Sequence, residues 1–313
     1  MNKKNILIAG GAGFLGSHLC DFFIKKGYYV ICVDNFITGN KDNISRLLKH
    51  KNFEFIKHDI TKPLSIRKNL DYVLNFASPA SPVYYLKYPI KTLETGSLGT
   101  QNMLKLAQKK KAVFFLASTS EVYGDPLIHP QKETYWGNVN PTGPRAVYDE
   151  AKRYAEAITF AYNRYYNVDI RVIRIFNTFG PRMQIDDGRV VPAFIYQALK
   201  GNPITIFGNG NQTRSFCYVS DLIEGIYKMM CSKEIGPVNL GNPHEVTVLE
   251  FAKMIKKITK SKSDIISYPL PQDDPKMRKP DITKAEKVLK WKPKISMEDG
   301  IFETIKWFKK YRS

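Results

Sequence analysis

Cysteine is scarce in this chain of 313 residues, and long hydrophobic runs are missing. The four cysteines show no CxxC spacing and the five histidines show no metal-ligand spacing, so we expect no catalytic metal and a buried thiol at Cys20 and at Cys32. No apolar run approaches the ~20 residues that span a bilayer, and residues 1–4 lead into a strand without a signal-peptide core. These features predict a cytoplasmic protein.

Acidic residues are outnumbered, with 29 aspartates and glutamates against 48 lysines and arginines, which gives a net charge of +19. Such a balance is typical of nucleic-acid-binding proteins, but the lysines are dispersed and no nucleic-acid motif is present. We therefore interpret the positive charge as lysine-rich, solvated surfaces. Attraction of an anionic substrate would be a smaller benefit of that charge. The length allows one large α/β domain or two smaller ones with a shared core.

A glycine-rich turn follows the first buried strand. The apolar run at 5–9 predicts this strand, and an amphipathic helix is expected at about 17–26. Between them Gly10, Gly13 and Gly16 form the pattern GxxGxxG, in the strand–turn–helix context typical of a dinucleotide site. Glycines there let the backbone approach a pyrophosphate held at the helix N-terminus.

The second strand, Tyr29–Val33, ends in an acidic residue. Asp34 lies 18 residues beyond Gly16. A carboxylate at this position accepts hydrogen bonds from both adenosine ribose hydroxyls and repels a 2′-phosphate, so the sequence predicts NAD rather than NADP. After a third strand, Phe53–Ile56, we expect Asp59 to meet the adenine amine.

The segment Ala77–Pro82 follows a fourth strand, Tyr72–Phe76. Its small residues let backbone pass close to the cofactor, and its prolines are expected to prevent a helix from starting there. A long helix is predicted from Tyr88 to Lys110, and then a fifth strand from Ala112 to Ala117.

Tyr148 and Lys152 form the pattern Tyr-x-x-x-Lys, which places a phenol and an ammonium group on one helix face. A tyrosine used as a base near neutral pH needs its pKa, near 10, to fall by roughly three units. An ammonium about 4 Å away could lower it by about that much, and an NAD⁺ ring would add to the effect. The pair could therefore take a proton from a sugar hydroxyl. A solvated helix face is the alternative interpretation of the two residues alone.

Polar residues stand at the carboxyl end of the fifth strand, where ligands bind in open parallel sheets. We expect the Thr119 hydroxyl to bond a substrate oxygen beside the tyrosine. Glu121 would be a second acid/base group with a separately tuned pKa. Closing a strand and capping a turn explains Ser118 equally well.

The alternation of strands and helices weakens after the sixth strand, Asp169–Ile175. We predict an NAD-binding Rossmann domain over 1–180 and a smaller nucleotide-sugar-binding α/β domain over 181–313, with a strand near 238–241 returning to the main sheet. The expected elements of the second domain are a helix opened by Asp187–Pro192 and running to about Leu199, a short strand at Thr205 and Phe207, and helices at 248–259 and 297–311.

Arginines in this second part are candidates to bind a diphosphate and a carboxylate, because charged hydrogen bonds to such groups are strong. Each could equally be a surface arginine. The candidates are Arg182, Arg189, Arg214 and Arg278. Arg278 lies in the segment Gln272–Asp281, which is too charged to be expected in a core.

These motifs together resemble the extended short-chain dehydrogenase/reductases that modify nucleotide sugars, over the whole chain. Within that group the chain is similar to the UDP-glucuronic acid decarboxylases. The specific similarity lies in Asn75–Pro82, Ser118–Pro126, Gly143–Lys152, Arg174–Met183 and Gln272–Asp281. Two departures are Ala9, where relatives often have Thr, and Gly96, where the family usually has Asn at a position of helix packing or substrate contact.

The resemblance implies NAD-dependent decarboxylation of UDP-glucuronate to UDP-xylose and CO₂ through a 4-keto intermediate. Tyr148 would remove the C4 hydroxyl proton, Glu121 or its water would manage the C5 proton, and Arg278 would engage the substrate carboxylate. The implied catalytic residues are Tyr148, Lys152, Thr119, Glu121, Ser120 and Arg278. The implied cofactor residues are Gly10, Gly13, Phe14, Leu15, Gly16, Asp34, Asn35, Ile37, Thr38, Gly39, Asp59, Ile60, Phe76, Ser78, Tyr148 and Lys152. The implied substrate residues are Thr95, Asn177, Arg182, Arg189, Val190, Thr205, Arg214 and Arg278.

Three other functions stay open at this point. The nearest is a nucleotide-sugar 4-epimerase or 4,6-dehydratase, which uses the same oxidation; a dehydratase would more often have Asp-Glu where this chain has Ser120-Glu121. An NAD-binding protein without turnover is disfavoured by the intact Thr119, Tyr148 and Lys152. A nucleic-acid binder has the charge but no motif. We also expect a homodimer through the helices at 92–110 and 145–166, as in related enzymes.

Overall fold

The fold is taken from a computed structural model, which describes residues 3–186, 188–269 and 277–311. In chain order the strands are β1 (Asn5–Ala9), β2 (Tyr29–Asp34), β3 (Phe53–Lys57), β4 (Tyr72–Asn75), β5 (Val113–Thr119), β6 (Ile170–Ile175), β7 (Thr178–Phe179), β8 (Ile204–Phe207), β9 (Thr213–Ser215), β10 (Cys217–Tyr218), β11 (Val238–Leu240), β12 (Glu245–Thr247), β13 (Ile265–Tyr268) and β14 (Met277–Arg278). The helices are α1 (Phe14–Lys25), α2 (Pro82–Lys87), α3 (Pro89–Glu94), α4 (Thr100–Lys110), α5 (Ala146–Tyr166), α6 (Val190–Lys200), α7 (Val219–Cys231), α8 (Val248–Thr259) and α9 (Met297–Tyr311). The predictions made for Asp187 and for 272–276 lie outside the described residues.

Seven parallel strands form the central sheet, in the order β11-β6-β5-β4-β1-β2-β3. The chain order runs outward in opposite directions from β1, whose neighbours are β2 and β4. In an open parallel sheet, ligands bind beyond the carboxyl ends of the strands at such a reversal. At the far edge β11 pairs with β6, with Val238 opposite Ile173.

Apolar side chains cover both faces of this sheet. On one face Ile8 belongs to a core with Phe23 of α1 and Ile226 of α7. On the other face Met103 of α4 and Ala155 of α5 belong to a second core. Because successive side chains of a strand point to opposite faces, the same strands supply both cores. Helices on both faces of a parallel sheet confirm the predicted α/β fold, a Rossmann-type doubly wound sheet.

A third core lies in the C-terminal part of the chain. Phe194 of α6, Phe251 of α8 and Ile301 of α9 are almost completely buried in it. The parallel pair β8–β13 and a three-stranded sheet in the order β12-β9-β14 also lie in this part of the chain. In that sheet Arg278 on β14 pairs in register with Arg214 on β9. Two of the predicted substrate arginines are therefore neighbours.

The prolines of Ala77–Pro82 do not prevent a helix, contrary to the prediction. α2 begins with Pro82 as its first residue. Proline is tolerated there because the first N–H of a helix has no acceptor within the helix, and the ring already fixes a helical φ. The helix has a functional consequence, because it places Tyr85 at the cavity described below.

The predicted helix from Tyr88 to Lys110 is present, with a wider turn inside it. α3 is followed by one π-helical turn, Thr95–Gly99, and then by α4. A π turn inserts one extra residue per turn, and such turns often occur at functional sites. Here the turn faces α5 and contains Gly96.

α7 adds to the elements expected from the sequence. Its buried residues Val219, Leu222, Ile226 and Met229 recur at helical spacing and face the sheet. The signal for this helix is therefore present in the sequence. Neither α7 nor any other helix in the described ranges is both long and apolar enough to cross a lipid bilayer.

Candidate active site

The turn between β1 and α1 contains three glycines, and the reason for having glycine differs between these positions. Gly10 has a φ of 77°, and a Cβ on Gly16 would lie 2.1 Å from the Gly10 oxygen, so the fold itself requires both. A Cβ on Gly13 would meet only the Gly10 oxygen, at 3.2 Å. Gly13 lines the cavity in front of α1. Its missing side chain therefore leaves room for a ligand that approaches the N-terminus of the helix.

Asp34 presents its carboxylate to a cavity at the end of β2. Its Oδ2 accepts a hydrogen bond from Ala12 N at 3.0 Å, and its Oδ1 accepts one from Phe36 N at 2.8 Å. Burial raises the pKa of Asp34, and these two N–H groups, together with that of Asn35, act against the rise. Since each carboxylate oxygen accepts about two hydrogen bonds, both oxygens can still accept one from a ligand hydroxyl.

α5 places Tyr148 and Lys152 on the face that lines the larger cavity. Lys152 Nζ donates to Ala117 O at 2.9 Å and lies 5.8 Å from the centre of the Tyr148 ring. The ring of Tyr85, from α2, stacks on Tyr148 with centroids 5.2 Å apart and planes 8° apart. Because both tyrosines are buried, the phenol of Tyr148 is held in one orientation.

The residues around Tyr148 raise the pKa of its phenol. Burial is the main cause, the Glu121 carboxylate adds to it, and a hydrogen bond with Thr119 acts against it. The expectation that Lys152 lowers this pKa to near neutrality is therefore wrong for the protein's own residues. Burial also lowers the pKa of Lys152 to about 8, with the Glu156 carboxylate opposing that fall. A base at Tyr148 needs further positive charge from a bound ligand.

Glu156, one turn after Lys152 on α5, fixes the carboxyl end of β5. Its Oε1 accepts hydrogen bonds from Ser118 Oγ at 2.6 Å and from Arg174 Nε at 2.9 Å. Its Oε2 accepts a second bond from Arg174, at 2.8 Å. Ser118 thus has the structural role that the sequence left open, and it anchors the strand that carries Thr119.

Glu121 lies between two arginines at the same edge of the sheet. Arg145 donates to Oε2 at 2.7 Å, and Arg278 forms an ion pair with Oε1. Burial raises the pKa of Glu121, but the two guanidinium groups outweigh it and hold the pKa at about 2. We call these three residues the arginine clamp. Glu121 is therefore ionised at neutral pH and cannot donate a proton there, and its expected part in handling the C5 proton, directly or through a water, stays a prediction.

The burial of Arg278 differs from the prediction, which placed its charged segment outside the core. The residue is only 4% exposed. Its guanidinium is satisfied by Glu121 and by Gly124 O, to which it donates at 3.1 Å. A buried charge is tolerated when it is paired and hydrogen-bonded in this way.

A cavity of about 710 Å³ brings most of the predicted residues together. With the smaller cavity at Asp34, it is lined by the predicted cofactor residues Gly10, Gly13, Phe14, Leu15, Gly16, Asp34, Asn35, Ile37, Thr38, Asp59, Ile60, Phe76, Ser78, Tyr148 and Lys152. The predicted catalytic and substrate residues that line the two cavities are Thr95, Thr119, Ser120, Glu121, Asn177, Arg182, Arg189, Val190, Thr205, Arg214 and Arg278. Gly39 does not line them: it packs on Asp34, and a Cβ there would lie 2.7 Å from Asp34 Oδ1. No group of three or more metal-ligating side chains occurs in the described part of the chain.

Two predicted ligand contacts already have protein partners. Arg182 donates to Ser17 Oγ at 3.1 Å and to Asp21 at 2.5 Å, so a diphosphate would share it with α1. The Asp59 Oδ2 pairs with Lys91 at 2.8 Å, and its Oδ1 accepts two hydrogen bonds from Thr61, so an adenine amine would have to share Oδ2 with Lys91. Both residues still line the cavities.

Comparison with known proteins gives a match over nearly the whole chain. The family model described as GDP-mannose 4,6 dehydratase matches residues 7–304. UDP-glucuronic acid decarboxylase 1 of Danio rerio is 54% identical over 307 residues, which are 98% of this chain and 73% of that protein. The chain belongs to the UDP-glucuronic acid decarboxylase family. The resemblance inferred from the sequence is confirmed.

Solved structures similar to this member of the decarboxylase family include epimerases. UDP-glucose 4-epimerase of Thermotoga maritima, with UDP-glucose, has a TM-score of 0.89 and 30% identity, covering 98% of this chain and 99% of that one. UDP-glucuronic acid 4-epimerase of Bacillus cereus, in complex with UDP-glucuronic acid and NAD, has a TM-score of 0.87 and 29% identity, with the same coverage. The fold is thus shared with NAD-bound nucleotide-sugar enzymes.

Three residues near the site were not among the predicted ones in this decarboxylase-family chain: Tyr85, Arg145 and Asp149. Tyr85 carries no sequence signal beyond an aromatic residue shortly after Pro82. Arg145 and Asp149 lie one turn apart at the start of α5, so their spacing indicates a shared face. What the sequence cannot indicate is that Arg145 reaches across to Glu121.

Gly96, expected from the sequence to serve helix packing or substrate contact, lies where α5 approaches closely. A Cβ on Gly96 would be 2.7 Å from the Ala151 Cβ and 2.8 Å from its carbonyl oxygen. The residue therefore serves helix packing in this chain, and a larger side chain would require the two helices to separate.

Proposed function

We propose that this chain is an NAD-dependent UDP-glucuronate decarboxylase, which forms UDP-xylose and CO₂ and regenerates its cofactor. The observation that carries the proposal is that one cavity contains both the Tyr148–Lys152 pair and the arginine clamp. The pair suits the oxidation of a sugar hydroxyl, and the clamp suits a carboxylate on the same sugar. The decarboxylase at 54% identity supports the assignment.

The cofactor site has the features that NAD requires. The space left by Gly13 admits a diphosphate to the N-terminus of α1. The remaining lone pairs of Asp34 suit two ribose hydroxyls, and its charge opposes a phosphate there. When bound, NAD supplies the hydride acceptor and donor together with the positive charge that Tyr148 needs.

Tyr148 is the proposed base for the C4 hydroxyl of the sugar. The Tyr85 ring holds the phenol in position, and Thr119 bonds to it from the end of β5. Lys152 adds positive charge to the cavity while it is protonated. Oxidation at C4 makes the sugar acid a β-keto acid, which loses CO₂ readily, so the protein's main tasks are placement and proton handling.

The decisive test is mass spectrometry of the nucleotide sugar after incubation with UDP-glucuronate and NAD. A decarboxylase lowers the mass by that of CO₂ and releases CO₂ and UDP-xylose in equal amounts without net NADH. A 4-epimerase is the second candidate, because a UDP-glucuronic acid 4-epimerase shares the fold with a TM-score of 0.87. Its product would keep the mass of the substrate. Unchanged mass or accumulating NADH refutes the decarboxylase proposal.

Arg278 is proposed to distinguish UDP-glucuronate from UDP-glucose by binding the carboxylate. Arg278→Ala should therefore lose far more turnover with UDP-glucuronate than affinity for UDP, for which the proposed contacts are the other arginines of the cavity. Isotopic CO₂ release measures the first quantity and equilibrium titration the second. Unchanged CO₂ release in the variant would remove Arg278 from the site.

We further propose two organisational features. The first is a division into an NAD-binding domain over 1–180, joined by β11, and a nucleotide-sugar-binding domain over 181–313. The second is a homodimer formed through α3 to α5. Leu98 and Tyr154 in this region are 50% and 46% exposed, as expected for apolar side chains that a second copy covers.

A further inference from the structure

The arginine clamp contains a carboxylate of the protein where a substrate carboxylate is expected. Glu121 Oε1 pairs with Arg278, while Oε2 accepts a separate bond from Arg145 at 2.7 Å. A second Arg278 nitrogen donates to Gly124 O at 3.1 Å. A carboxylate that enters the cavity therefore meets an Arg278 that is already paired.

A second carboxyl group, that of Asp149, lies close enough to interact electrostatically with all three residues of the clamp. Asp149 is 6% exposed, and its Oδ1 has no hydrogen-bond partner within the described residues. Burial raises the pKa of Asp149 to about 7, Glu121 adds to the rise, and the two arginines of the clamp oppose it. The titratable groups that face Asp149 from α2, α5, the 120–123 turn and β14 are Tyr85, Arg145, Tyr148, Glu150, Glu121 and Arg278.

We propose that the substrate carboxylate replaces Glu121 on Arg278, and that Asp149 takes up a proton as this happens. The step rests on the proposed function, since it takes UDP-glucuronate as the ligand. Glu121 remains attached through Arg145. The substrate carboxylate brings one more negative charge to the clamp. Of the carboxylates there, that of Asp149 is stabilised least, because its buried Oδ1 has no hydrogen-bond partner within the described residues. Asp149 is therefore the group that takes up a proton. The proton comes from solvent, and no bond to carbon forms or breaks.

Loss of CO₂ reverses the exchange. The product has no carboxylate, so Glu121 returns to Arg278 and Asp149 releases its proton. At no stage is the buried guanidinium of Arg278 left without a carboxylate, a state that would be strongly unfavourable. Glu121 therefore acts as a positioning residue that holds the place of the substrate carboxylate.

The test is calorimetric titration of the NAD-loaded Tyr148→Phe protein, a background chosen to prevent turnover. Titrations in two buffers of equal pH and different protonation enthalpy report proton uptake. Binding of UDP-glucuronate at pH 7.5 should take up as much as about one proton per site, and binding of UDP-glucose almost none. Uptake should be smaller at pH 6, where Asp149 already carries its proton.

Two substitutions separate the parts of the exchange. Asp149→Asn should abolish the proton uptake while UDP-glucuronate still binds. Glu121→Gln should tighten UDP-glucuronate binding by roughly tenfold, because the internal competitor is weakened, and leave UDP-glucose binding unchanged.

Equal proton uptake with UDP-glucose, or uptake that persists in Asp149→Asn, would overturn the exchange. Proton uptake that does not decline from pH 7.5 to pH 6 would also overturn the exchange. This comparison keeps Asp149 in place, so it does not depend on whether the Asp149→Asn variant folds. If the wild type neither binds UDP-glucuronate nor releases CO₂, the proposed function fails instead.

Discussion

Tyr148 shows that the chemistry of one side chain depends on what the whole site supplies. Its phenol is buried, faces the Glu121 carboxylate and has a raised pKa. Lys152 donates to a backbone carbonyl at 2.9 Å and so is not dedicated to the phenol. The proposed base therefore needs the charge of a bound cofactor, and without that cofactor we expect an unreactive tyrosine.

Tyr148→Phe should bind UDP and NAD⁺ within about twofold of the wild type while turnover falls by at least about a hundredfold, the usual range for loss of a general base. The ring and its stacking on Tyr85 are kept, so only the hydroxyl is lost. CO₂ release and equilibrium titration are the measurements. The matched control, Tyr85→Phe, keeps the same stacked pair and should retain most of the turnover. Near-native turnover in Tyr148→Phe would move the base elsewhere.

Asp34 should give the protein a preference for NAD⁺ over NADP⁺. The carboxylate would repel a 2′-phosphate, and it is fixed by two backbone N–H groups, so it cannot easily turn away. Fluorescence titration with both cofactors should show at least about tenfold tighter binding of NAD⁺. Asp34→Asn keeps a similar side-chain shape without the charge, so it should reduce the difference in affinity between NAD⁺ and NADP⁺. Equal affinities in the wild type would contradict this role.

α5 links the Tyr148–Lys152 pair to a carboxylate, Glu156, one turn further along. As pH rises through the pKa of Lys152, about 8, its ammonium loses charge, so activity should fall on the alkaline side. Glu156 opposes the lowering of this pKa. Glu156→Gln should therefore shift the alkaline limb of kcat/KM to lower pH, by up to about one unit.

Ser118→Ala is the control for this shift, because it removes a bond to Glu156 without changing any charge. It should leave the alkaline limb where it is. The pH dependence of Lys152 labelling by an amine-reactive reagent, followed by peptide mass spectrometry, gives the same pKa without turnover. An identical profile for Glu156→Gln and the wild type would rule out the electrostatic role.

The π turn after α3 and the helix α5 are matched through Gly96 and Ala151. Gly96→Asn should lower the free energy of unfolding by about 1–3 kcal/mol, the usual cost of overpacking, because its Cβ would collide with Ala151. Adding Ala151→Gly removes the Ala151 methyl group and should restore part of the lost free energy of unfolding. The gain is reduced by about 1 kcal/mol, the cost of replacing alanine by glycine within a helix. Thermal unfolding of the two single variants and the double variant measures the coupling. Strict additivity would show that the helices do not meet as described.

Short-range sequence patterns predicted those elements that depend only on residues close together in the chain. The strand, glycine turn and helix at 5–26 and the acidic end of β2 follow from short-range spacing. The helix at α7 had an equally clear apolar period and could have been predicted. By contrast, Glu121 and Arg278 are 157 positions apart, and no spacing rule connects them. The pKa directions at Tyr148 and Glu121 also depend on burial and partners, which exist only in the folded protein.

The whole molecule should be a homodimer at micromolar concentration. The helices around α5 expose apolar side chains, including Leu98 and Tyr154, beyond those that cover the sheet. Light scattering should give about twice the 35.9 kDa chain mass. Leu98→Asp should shift the protein toward monomer. Leu127→Asp, at a site 81% exposed and outside these helices, is the control and should not change the mass. A wild-type protein of single-chain mass would refute the dimer.

The position of β11 sets the order in which the molecule can be completed during synthesis. This edge strand of the central sheet is made only after β7 to β10, α6 and α7 have been made. Until then β6 has an open edge, and exposed strand edges pair with other chains. A ribosome that has produced only the first 180 residues therefore carries a sheet that still lacks its last strand. Fragments cut at that point should pair with other chains through the open edge of β6 and aggregate, whereas the full chain, in which β11 covers that edge, should not.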